Sequence, residues 1–446
     1  MPKYTLNEGQ QAAADGFFEF LLDESEKEMI ITGPGGSGKT YLEGALIDEV
    51  MPHYHQICKM MGIKVKYQDV DMTASTNPAA EQLSNATGRP AGTIFSKCNL
   101  VVKNNFQTGE TFVAKTKSWC QIHNQVVFVD EFSILDRNAV KQIRETLANC
   151  KIVWVGDAEQ LGPVNDTSII AEEMQAGIIR TYELVTQERN KSQPHLSETC
   201  TMLRQGVKDG LFNQIQLKKG VIDWITDPDE IQRELATHLT KPDHGLRVIA
   251  FTNDVVGEYS EFCRVNLRGR TEIYAEGDRL VVGSQLAVFD RGDRVRLQTD
   301  STVTVARVHD NIGVKMIDEM YKLTATCQTL EILTKYGRRL TVTAPLYYQR
   351  EVKRAISYLA SEREWALMFN LKETYPDFRS ADASTTHKAQ GASFDTIFID
   401  LPDLLSCGDI DTLLRLIYVA VSRARLRVVF FGELPEDLQE LLIPEA

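Results

Sequence analysis

Short apolar runs that end in polar residues recur along the chain, and each has the length of a strand. The runs at 29–31, 126–129 and 152–155 contain no polar residue. A strand that is covered by helices on both faces of a parallel sheet has this continuous apolar pattern. Further runs at 248–251 and 428–431 indicate a second block of the same kind. The pattern therefore predicts two α/β blocks.

Helical spacing of apolar residues separates these strands. Over residues 8–21 the apolar positions fall on one side of a helix, and Asn7 is a suitable N-cap for it. Over residues 347–375 the same spacing predicts a single long amphipathic helix.

Two stretches have a β pattern instead. Residues 99–117 alternate apolar and polar positions on both sides of a turn that contains Gly109, which predicts a β-hairpin. A two-stranded hairpin is only marginally stable alone, so it must lie on a larger domain. From 279 to 346, short strand signals separated by turns predict a small β-barrel that interrupts the second α/β block.

Length and composition are those of an ordinary globular chain. The 446 residues are 43% hydrophobic, and the eight cysteines are scattered without the close pairs of zinc ribbons or redox dithiols. No apolar run approaches the ~18 residues of a membrane span, and the first residues do not begin a signal peptide. We therefore expect reduced thiols, a cytoplasmic location and no membrane association.

The formal net charge of −13 bears on possible nucleic-acid partners. Lys and Arg supply phosphate contacts, so an acidic chain is at first sight a poor candidate. A binding groove needs only local positive charge, however, and net charge does not show where positive side chains cluster. The acidity excludes no partner class and predicts only modest non-specific affinity.

Residues 33–40 are the strongest chemical signal in the sequence. They follow the apolar run 29–31 and precede an apolar helical segment, which is the context of a phosphate-binding loop. The loop consists of Gly33, Pro34, Gly35, Gly36, Ser37, Gly38, Lys39 and Thr40. Its glycines let backbone N–H groups point inward at a polyphosphate, and the helix adds its positive dipole end. Lys39 is expected to reach the β- and γ-phosphates and Thr40 to bind Mg²⁺; the alternative is a glycine-rich turn with a surface lysine.

Acidic and amide side chains follow the other apolar runs of the first block. Asp130 and Glu131 lie at the carboxyl end of a strand, where open α/β sheets bind ligands. Asp130 is predicted to hold Mg²⁺, and Glu131 to orient and deprotonate an attacking water. After the run 152–155, Gln160 is placed to sense a γ-phosphate or that water. Gln10 has an amide that can donate to and accept from an adenine edge at once.

Taken in order, these segments resemble the motifs of superfamily 1 helicases, in particular the phage Dda-type enzymes of the RecD-like branch. The resembling segments are the region of Gln10, 33–40, 73–80, 93–96, 130–136, 156–164, Arg189, 251–253, 387–391 and 418–423. They span nearly the whole chain in the order of the family.

The resemblance implies two RecA-like domains and an ATP-driven motor that moves 5′→3′ on single-stranded DNA. By the same resemblance, the ATP and Mg²⁺ site comprises Lys39, Thr40, Asp130, Glu131, Gln160, Arg189 and Arg423, with Gln10 at the adenine and Gly391 beside the nucleotide. The implied DNA track comprises Thr76, Asn77, Phe95, His387 and Lys388. An arginine delivered from across a cleft contributes ~10³–10⁵ in rate to phosphoryl transfer.

Pattern and resemblance together predict an α/β fold with two tandem RecA-like P-loop domains and one insertion in each. The first motor domain comprises 1–92 and 121–190, interrupted at 93–120 by the β-hairpin, which in this family separates the strands. The second comprises 191–278 and 380–446, interrupted at 279–379 by the small β-barrel and the long helix.

Two positions depart from the family pattern. Phe132 stands where the family has a smaller residue, which predicts local repacking. Phe95 stands where Dda-type relatives carry histidine, so its contact with DNA would change to stacking or be lost. The wedge residue of the hairpin stays open, because Phe106 lies nearer the turn while Phe112 lies on one arm.

The resulting hypothesis is an ATP-dependent 5′→3′ DNA helicase that acts as a monomer on single-stranded and forked duplex DNA. A single-strand-binding or replication protein is a candidate partner, and the host cytoplasm is the expected location if the chain is phage-encoded. Two alternatives stay open. One is a single-strand translocase that displaces proteins or remodels forks with little unwinding, and the other is an ATP-gated clamp that binds nucleic acid without cycling.

Overall fold

A computed structural model describes residues 3–105, 107, 111–163, 167–186, 193–239, 245–290, 293–299 and 301–444. Among the candidate residues, Arg189 and Phe106 lie outside these ranges. Within the described ranges the chain forms two parallel sheets with helices on both faces, a six-stranded antiparallel sheet and three two-stranded sheets.

The first parallel sheet contains the apolar runs of the first block. Its strands and the hairpin are β1 (Glu28–Thr32), β2 (Asp69–Ala74), β3 (Gly92–Thr93), β4 (Leu100–Asn104), β5 (Thr111–Lys115), β6 (His123–Asp130), β7 (Asn149–Gly156) and β8 (Arg180–Glu183). The helices are α1 (Glu8–Leu22), α2 (Lys39–Ala45), α3 (Met51–Met60), α4 (Asn77–Thr87), α5 (Ile94–Lys97), α6 (Arg137–Thr146) and α7 (Ile169–Gln175). The sheet order is β3-β2-β6-β7-β1-β8, and β4 pairs antiparallel with β5 as the alternation at 99–117 predicts.

Both faces of this sheet are buried, which is why its strands are continuously apolar. Val126 and Phe128 of β6 pack into a cluster with α1, α2 and α3. Val127 and Val129 pack into a second cluster, with α6 and α7, on the other face. Successive side chains of a strand point to opposite faces, so one short run serves two cores. Helix α1 begins where predicted, because the Asn7 side chain accepts from the Gln10 N–H in a capping box.

The chain then enters the second block and leaves it again for an insertion. The block begins with α8 (Pro194–Asp209), β9 (Ile215–Gln216), β10 (Ile222–Ile225), α9 (Pro228–Leu239), β11 (Leu246–Ala250) and α10 (Asn253–Phe262). The β-rich stretch comprises β12 (Arg279–Val282), β13 (Leu286–Asp290), β14 (Asp293–Leu297), β15 (Thr302–Val308), β16 (Gly313–Asp318), β17 (Leu323–Thr334), β18 (Arg339–Pro345), α11 (Val352–Ser361), α12 (Trp365–Thr374) and β19 (Phe378–Ser380). The first and last strands of this stretch, β12 and β19, pair antiparallel. The stretch therefore leaves the second block and returns to it at one place.

The second parallel sheet is completed by the last part of the chain. This part comprises β20 (Ala383–Thr385), α13 (Thr386–Ala389), β21 (Phe394–Asp400), α14 (Leu401–Leu405), α15 (Ile410–Ser422), β22 (Ala424–Phe431) and β23 (Leu442–Ile443). The sheet order is β10-β22-β21-β11-β20, with every described pairing parallel. Helices α8 and α15 pack together on one face of this sheet.

The prediction of one long helix over 347–375 is wrong. Helix α11 ends after Ser361, and α12 begins at Trp365. Between them Arg363 has a φ of 61° in the left-handed region. The Arg363 N–H donates to the Ala360 carbonyl and the Glu364 N–H to the Leu359 carbonyl. This pair of bonds is a Schellman motif, which terminates a helix even without glycine at the left-handed position.

Cysteine pairing and helix length are two further features of the described residues. All eight cysteines are described, and none forms a disulfide. Over the ranges given above, no helix combines the length and apolar character that a bilayer-spanning segment requires.

A first prediction concerns the core of the first sheet. Phe128 is completely buried, and its ring lies 5.8 Å from that of Phe17. We expect Phe128→Ala to lower the free energy of unfolding of this part of the chain by about 3–5 kcal/mol, since the cavity would be lined by rigid neighbours. Denaturant titration measures the change. Phe112→Ala, at a ring that is 45% exposed, is the control and should change stability by less than ~0.5 kcal/mol. Equal losses in the two variants would contradict this assignment of the core.

Candidate active site

The loop between β1 and α2 has the backbone of a phosphate cradle. Gly36 and Gly38 have φ values of 87° and 83°, which side-chain-bearing residues rarely adopt. Gly33 is needed for a different reason, since a Cβ there would lie 2.4 Å from the Leu184 carbonyl oxygen. Gly38 caps α2, so the N–H groups of the first helical turn face the loop.

Lys39 lies across this loop. Its ammonium donates to the carbonyls of Gly33 at 2.7 Å and Pro34 at 3.0 Å. Burial lowers the pKa of Lys39 from its ordinary value, while the carboxylates of Asp157, Glu131 and Asp130 oppose the shift. The hydroxyl of Ser37 is buried and has no hydrogen-bond partner among the described residues. The loop thus carries one positively charged side chain and several hydrogen-bond donors.

Asp130 is the last residue of β6, and Glu131 follows it in a strained turn. Glu131 has a φ of 56°, a left-handed conformation that is unfavourable for a residue with a side chain. Ser75, after β2, holds this turn: its N–H donates to the Asp130 carbonyl at 3.0 Å and its hydroxyl to the Glu131 carbonyl at 2.8 Å. The Oε2 atom of Glu131 is buried without a described hydrogen-bond partner. The left-handed turn therefore leaves the Glu131 carboxylate with one oxygen that no described residue contacts through a hydrogen bond.

The surroundings of Asp130 fit a divalent cation. Burial and the neighbouring Glu131 raise the pKa of Asp130 to about 7. One turn along α2 from Thr40, Glu43 is fully buried, and neither of its carboxylate oxygens has a described hydrogen-bond partner. Burial and Asp130 raise the pKa of Glu43 as well. A hydroxyl and carboxylate oxygens are hard ligands of the type that Mg²⁺ prefers, and a cation would relieve this accumulation of acidic groups.

A cavity of about 650 Å³ brings the candidate residues together from both blocks. Its lining includes Gln10, Gly35, Gly36, Gly38, Lys39, Thr40, Asp130, Glu131 and Gln160 from the first block, and Gly391 and Arg423 from the second. Gly33 and Ser37 are buried members of the loop and are not part of this lining.

Arg423 reaches the loop from the end of α15. Its guanidinium is held by the Val419 carbonyl at 3.2 Å and the Ser422 hydroxyl at 2.9 Å. A Cβ on Gly35 would lie 3.8 Å from its Nη2 atom. An arginine of the second block therefore lies directly beside the predicted phosphate loop. A second link between the blocks runs from the Gln390 amide to the Ser133 hydroxyl, at 3.1 Å.

The Gln10 amide, at one end of the cavity, has two hydrogen-bond partners within the chain. The Gln10 Oε1 atom accepts from the Asn7 N–H at 3.1 Å, and its Nε2 atom donates to the Ser37 carbonyl at 3.4 Å. The amide predicted to face adenine therefore already ties α1 to the loop. Tyr41, in the first turn of α2, also lines the cavity, although the sequence analysis did not single it out. Its hydroxyl accepts from the Thr5 N–H at 2.9 Å; its position directly after Thr40 was the available signal.

The predicted DNA-track residues lie at two similar places. Thr76 caps α4, and Asn77 is exposed in its first turn. His387 and Lys388 lie in the first turn of α13, which follows β20 as α4 follows β2. Phe95 differs from these, because its ring packs against the buried cluster of the first sheet and is only half-exposed.

Comparison with known proteins gives consistent similarities. A family model described as an AAA domain matches residues 5–227, and one described as a UvrD-like helicase C-terminal domain matches residues 380–431. The ATP-dependent DNA helicase dda of Enterobacteria phage T4 is 24% identical over 464 aligned positions, covering 95% of this chain and 99% of that protein. Among solved structures, Pif1 helicase from Candida albicans aligns with a TM-score of 0.49 at 16% identity, over 97% of this chain and 95% of the other. Bacteroides Pif1 in complex with ADP-AlF3 and ssDNA aligns with a TM-score of 0.48 at 15% identity, over 99% and 95%.

The raised pKa of Asp130 leads to a prediction about stability. A carboxyl group whose folded pKa lies above its ordinary value of 3.8 destabilises the fold as pH rises from about 4 to about 7, because the unfolded chain loses the proton first. In metal-free buffer, Asp130→Asn should therefore raise the melting temperature at pH 8 by a few degrees, roughly 2–4 °C per kcal/mol. The gain should disappear near pH 4. A gain that is equal at both pH values would show that the charge of Asp130 is not its origin.

Proposed function

We propose that this chain, which belongs to the AAA domain family and is a superfamily 1 helicase, moves 5′→3′ along single-stranded DNA and unwinds duplex DNA at the expense of ATP. The observation that carries the proposal is the shared cavity. The phosphate loop and the acidic pair of one parallel sheet meet Arg423 of the other there. A ligand bound in it contacts both blocks, so its binding and cleavage change their relative position.

In the proposed reaction each group around the cavity has one task. Backbone N–H groups of the loop and the Lys39 ammonium bind the β- and γ-phosphates. Thr40 and Asp130 would hold Mg²⁺, which supplies charge neutralisation on the phosphate oxygens when bound. The Glu131 carboxylate accepts a proton from the attacking water, since its Oε2 atom has no hydrogen-bond partner among the described residues. Gln160 and Arg423 contact the γ-phosphate, and Arg189 does so by resemblance to the family.

The DNA track is proposed along the two matching helix starts. Thr76 and Asn77 at α4 and His387 and Lys388 at α13 each follow the carboxyl end of a strand, where backbone N–H groups can bind phosphate oxygens. The two helix starts belong to different blocks, so opening and closing the cavity changes the distance between two grips on one strand. Base stacking adds ~1–3 kcal/mol per base without sequence preference; at Phe95, partial burial limits this contribution.

The two insertions are proposed to act on the duplex. The β4–β5 hairpin at 93–120 is the strand-separating pin, and the β-rich stretch at 279–379 forms the wall of the strand channel. The first motor domain then comprises 1–92 and 121–190, and the second comprises 191–278 and 380–446. An ion pair between Lys335, in the turn after β17, and Glu81 of α4 supports this arrangement, since it joins the insertion to the first block beside the track.

The phosphate loop provides the direct test of the proposal. Lys39→Ala should abolish ATP hydrolysis stimulated by single-stranded DNA, since no other described side chain of the loop carries a positive charge. Lys59→Ala, at an exposed lysine in the last turn of α3, is the control and should retain full turnover. In the wild type, unwinding should require a 5′ single-stranded tail on the duplex. Near-normal turnover in Lys39→Ala, or unwinding from a 3′ tail, would refute the site or the direction.

The hairpin makes a separate prediction. Shortening residues 104–110 should leave ATP hydrolysis and translocation on single strands intact while unwinding of a forked duplex fails, because no described residue of the hairpin lines the cavity. Streptavidin displacement from a single strand measures translocation without strand separation. Equal loss of all three activities would mean that the hairpin only supports the fold.

A further inference from the structure

Asp157 is a buried carboxylate at the carboxyl end of β7; it accepts hydrogen bonds from two side chains of the second block and, at 3.2 Å, from the Glu159 N–H of the first. It has no solvent exposure. Its Oδ1 atom accepts from the Arg204 Nε atom at 3.0 Å, and its Oδ2 atom accepts from the Tyr418 hydroxyl at 2.5 Å. Breaking such a buried pair on one side leaves an uncompensated charge, which is strongly unfavourable.

Both partners come from helices that belong to the core of the second block. Arg204 lies on α8 and Tyr418 on α15, and these helices pack on the second parallel sheet through Leu203 and Leu416 among others. Arg204 also donates to the Glu183 carboxylate at the end of β8, at 2.7 Å. Helix α8 is thereby fastened to two strand ends of the first sheet.

Helix α15, which carries Tyr418, also forms hydrogen bonds with the segment that contains Gln160. Arg415 lies one turn earlier on α15, on the same face. Its Nη1 atom donates to the Ala158 carbonyl at 2.8 Å and to the Gln160 carbonyl at 2.9 Å. The Gln160 N–H in turn donates to the Asp157 carbonyl at 3.2 Å. The backbone of the predicted sensor is thus held from both sides by α15 and Asp157.

Helix α15 ends at Arg423, which is predicted, like Gln160, to act at the γ-phosphate. Arg423 is its C-cap and lies beside the phosphate loop. One rigid helix therefore contacts the sensor segment through Arg415 and Tyr418 and presents Arg423 two turns later. A shift of this helix relative to β7 would displace Gln160 and Arg423 together.

We propose that Asp157, Arg204, Tyr418 and Arg415 form an interdomain latch, whose members are positioning residues that set the geometry of Gln160 and Arg423 in the cavity. This inference rests on the proposed ATP hydrolysis at that cavity. The latch closes the sensor end of the junction, so that nucleotide binding has only the phosphate-loop end left to close. None of its four members needs to touch the nucleotide.

Tyr418→Phe is the sharpest test, because it removes one O–H donor from Asp157 without changing the packing volume. The chain offers a matched control in Tyr259→Phe, which removes a 2.5 Å bond from the Tyr259 hydroxyl to Asp400. Both of those residues belong to the second block. Arg415→Gln is a second latch variant at a partly exposed side chain, so its folding does not depend on a buried tyrosine.

In the latch variants, kcat for ATP should fall roughly tenfold while KM changes less than about twofold. A tenfold loss in kcat is what the loss of one hydrogen bond to a charged group would cause if that bond stabilises the transition state. Tyr259→Phe should retain wild-type kcat.

A second readout is independent of turnover. Cys120, at the end of the hairpin segment inserted in the first block, is exposed and Cys407 of the second block is partly exposed, while the other six cysteines are buried. Spin labels on these two native cysteines therefore report the distance between the blocks.

The distance distribution should broaden in Tyr418→Phe and Arg415→Gln and stay narrow in Tyr259→Phe. Indistinguishable kcat values and distance distributions in Tyr418→Phe and Tyr259→Phe would overturn the latch, as would a change confined to KM. If the wild type itself shows no ATP turnover, the proposed function fails. The distance measurement then decides the latch alone: broadening in both latch variants supports it, and its absence overturns it.

Discussion

Burying charge at the junction of the two parallel sheets is the constraint on which the rest of the structure depends. A charged group removed from water must be paired, neutralised or bound to a ligand, since its isolation is very unfavourable. At the Asp157 end, Arg204 and Tyr418 satisfy the carboxylate from the opposite block. At the phosphate-loop end, Glu43 and Glu131 have buried carboxylate oxygens without described partners.

The two ends of the junction therefore differ. At the Asp157 end, hydrogen bonds within the folded chain join the two blocks without any ligand. At the phosphate-loop end, burial raises the pKa values of Glu43 and Asp130 and lowers the pKa of Lys39. Under the proposed function, a divalent cation and a polyphosphate would supply the opposite charges. Ligand binding at one end of a junction already held at the other is a physical basis for closing it in a defined direction.

Local signals were sufficient for much of the fold and of the site. Continuous apolar runs predicted β1, β6 and β7, because burial on both faces of a sheet leaves no polar position. Four glycines before Lys39 predicted a cradle, and two of them indeed have the left-handed backbone that it requires. The helix over 347–375 failed, because apolar spacing continues across Arg363 while a left-handed residue with Schellman bonds interrupts the backbone.

The sequence by itself determined which segments become buried strands, where the phosphate loop lies and which acidic pair follows β6, since these depend on neighbouring residues along the chain. Only the tertiary structure decided that Arg204 and Arg415 are interface residues rather than ordinary surface arginines, and that Glu43 lies buried near Asp130. It also decided that the Gln10 amide is bonded to Asn7 and the loop. Partners distant in sequence supply the burial and charge that give these side chains their roles, and no local pattern records how separate strands and helices meet.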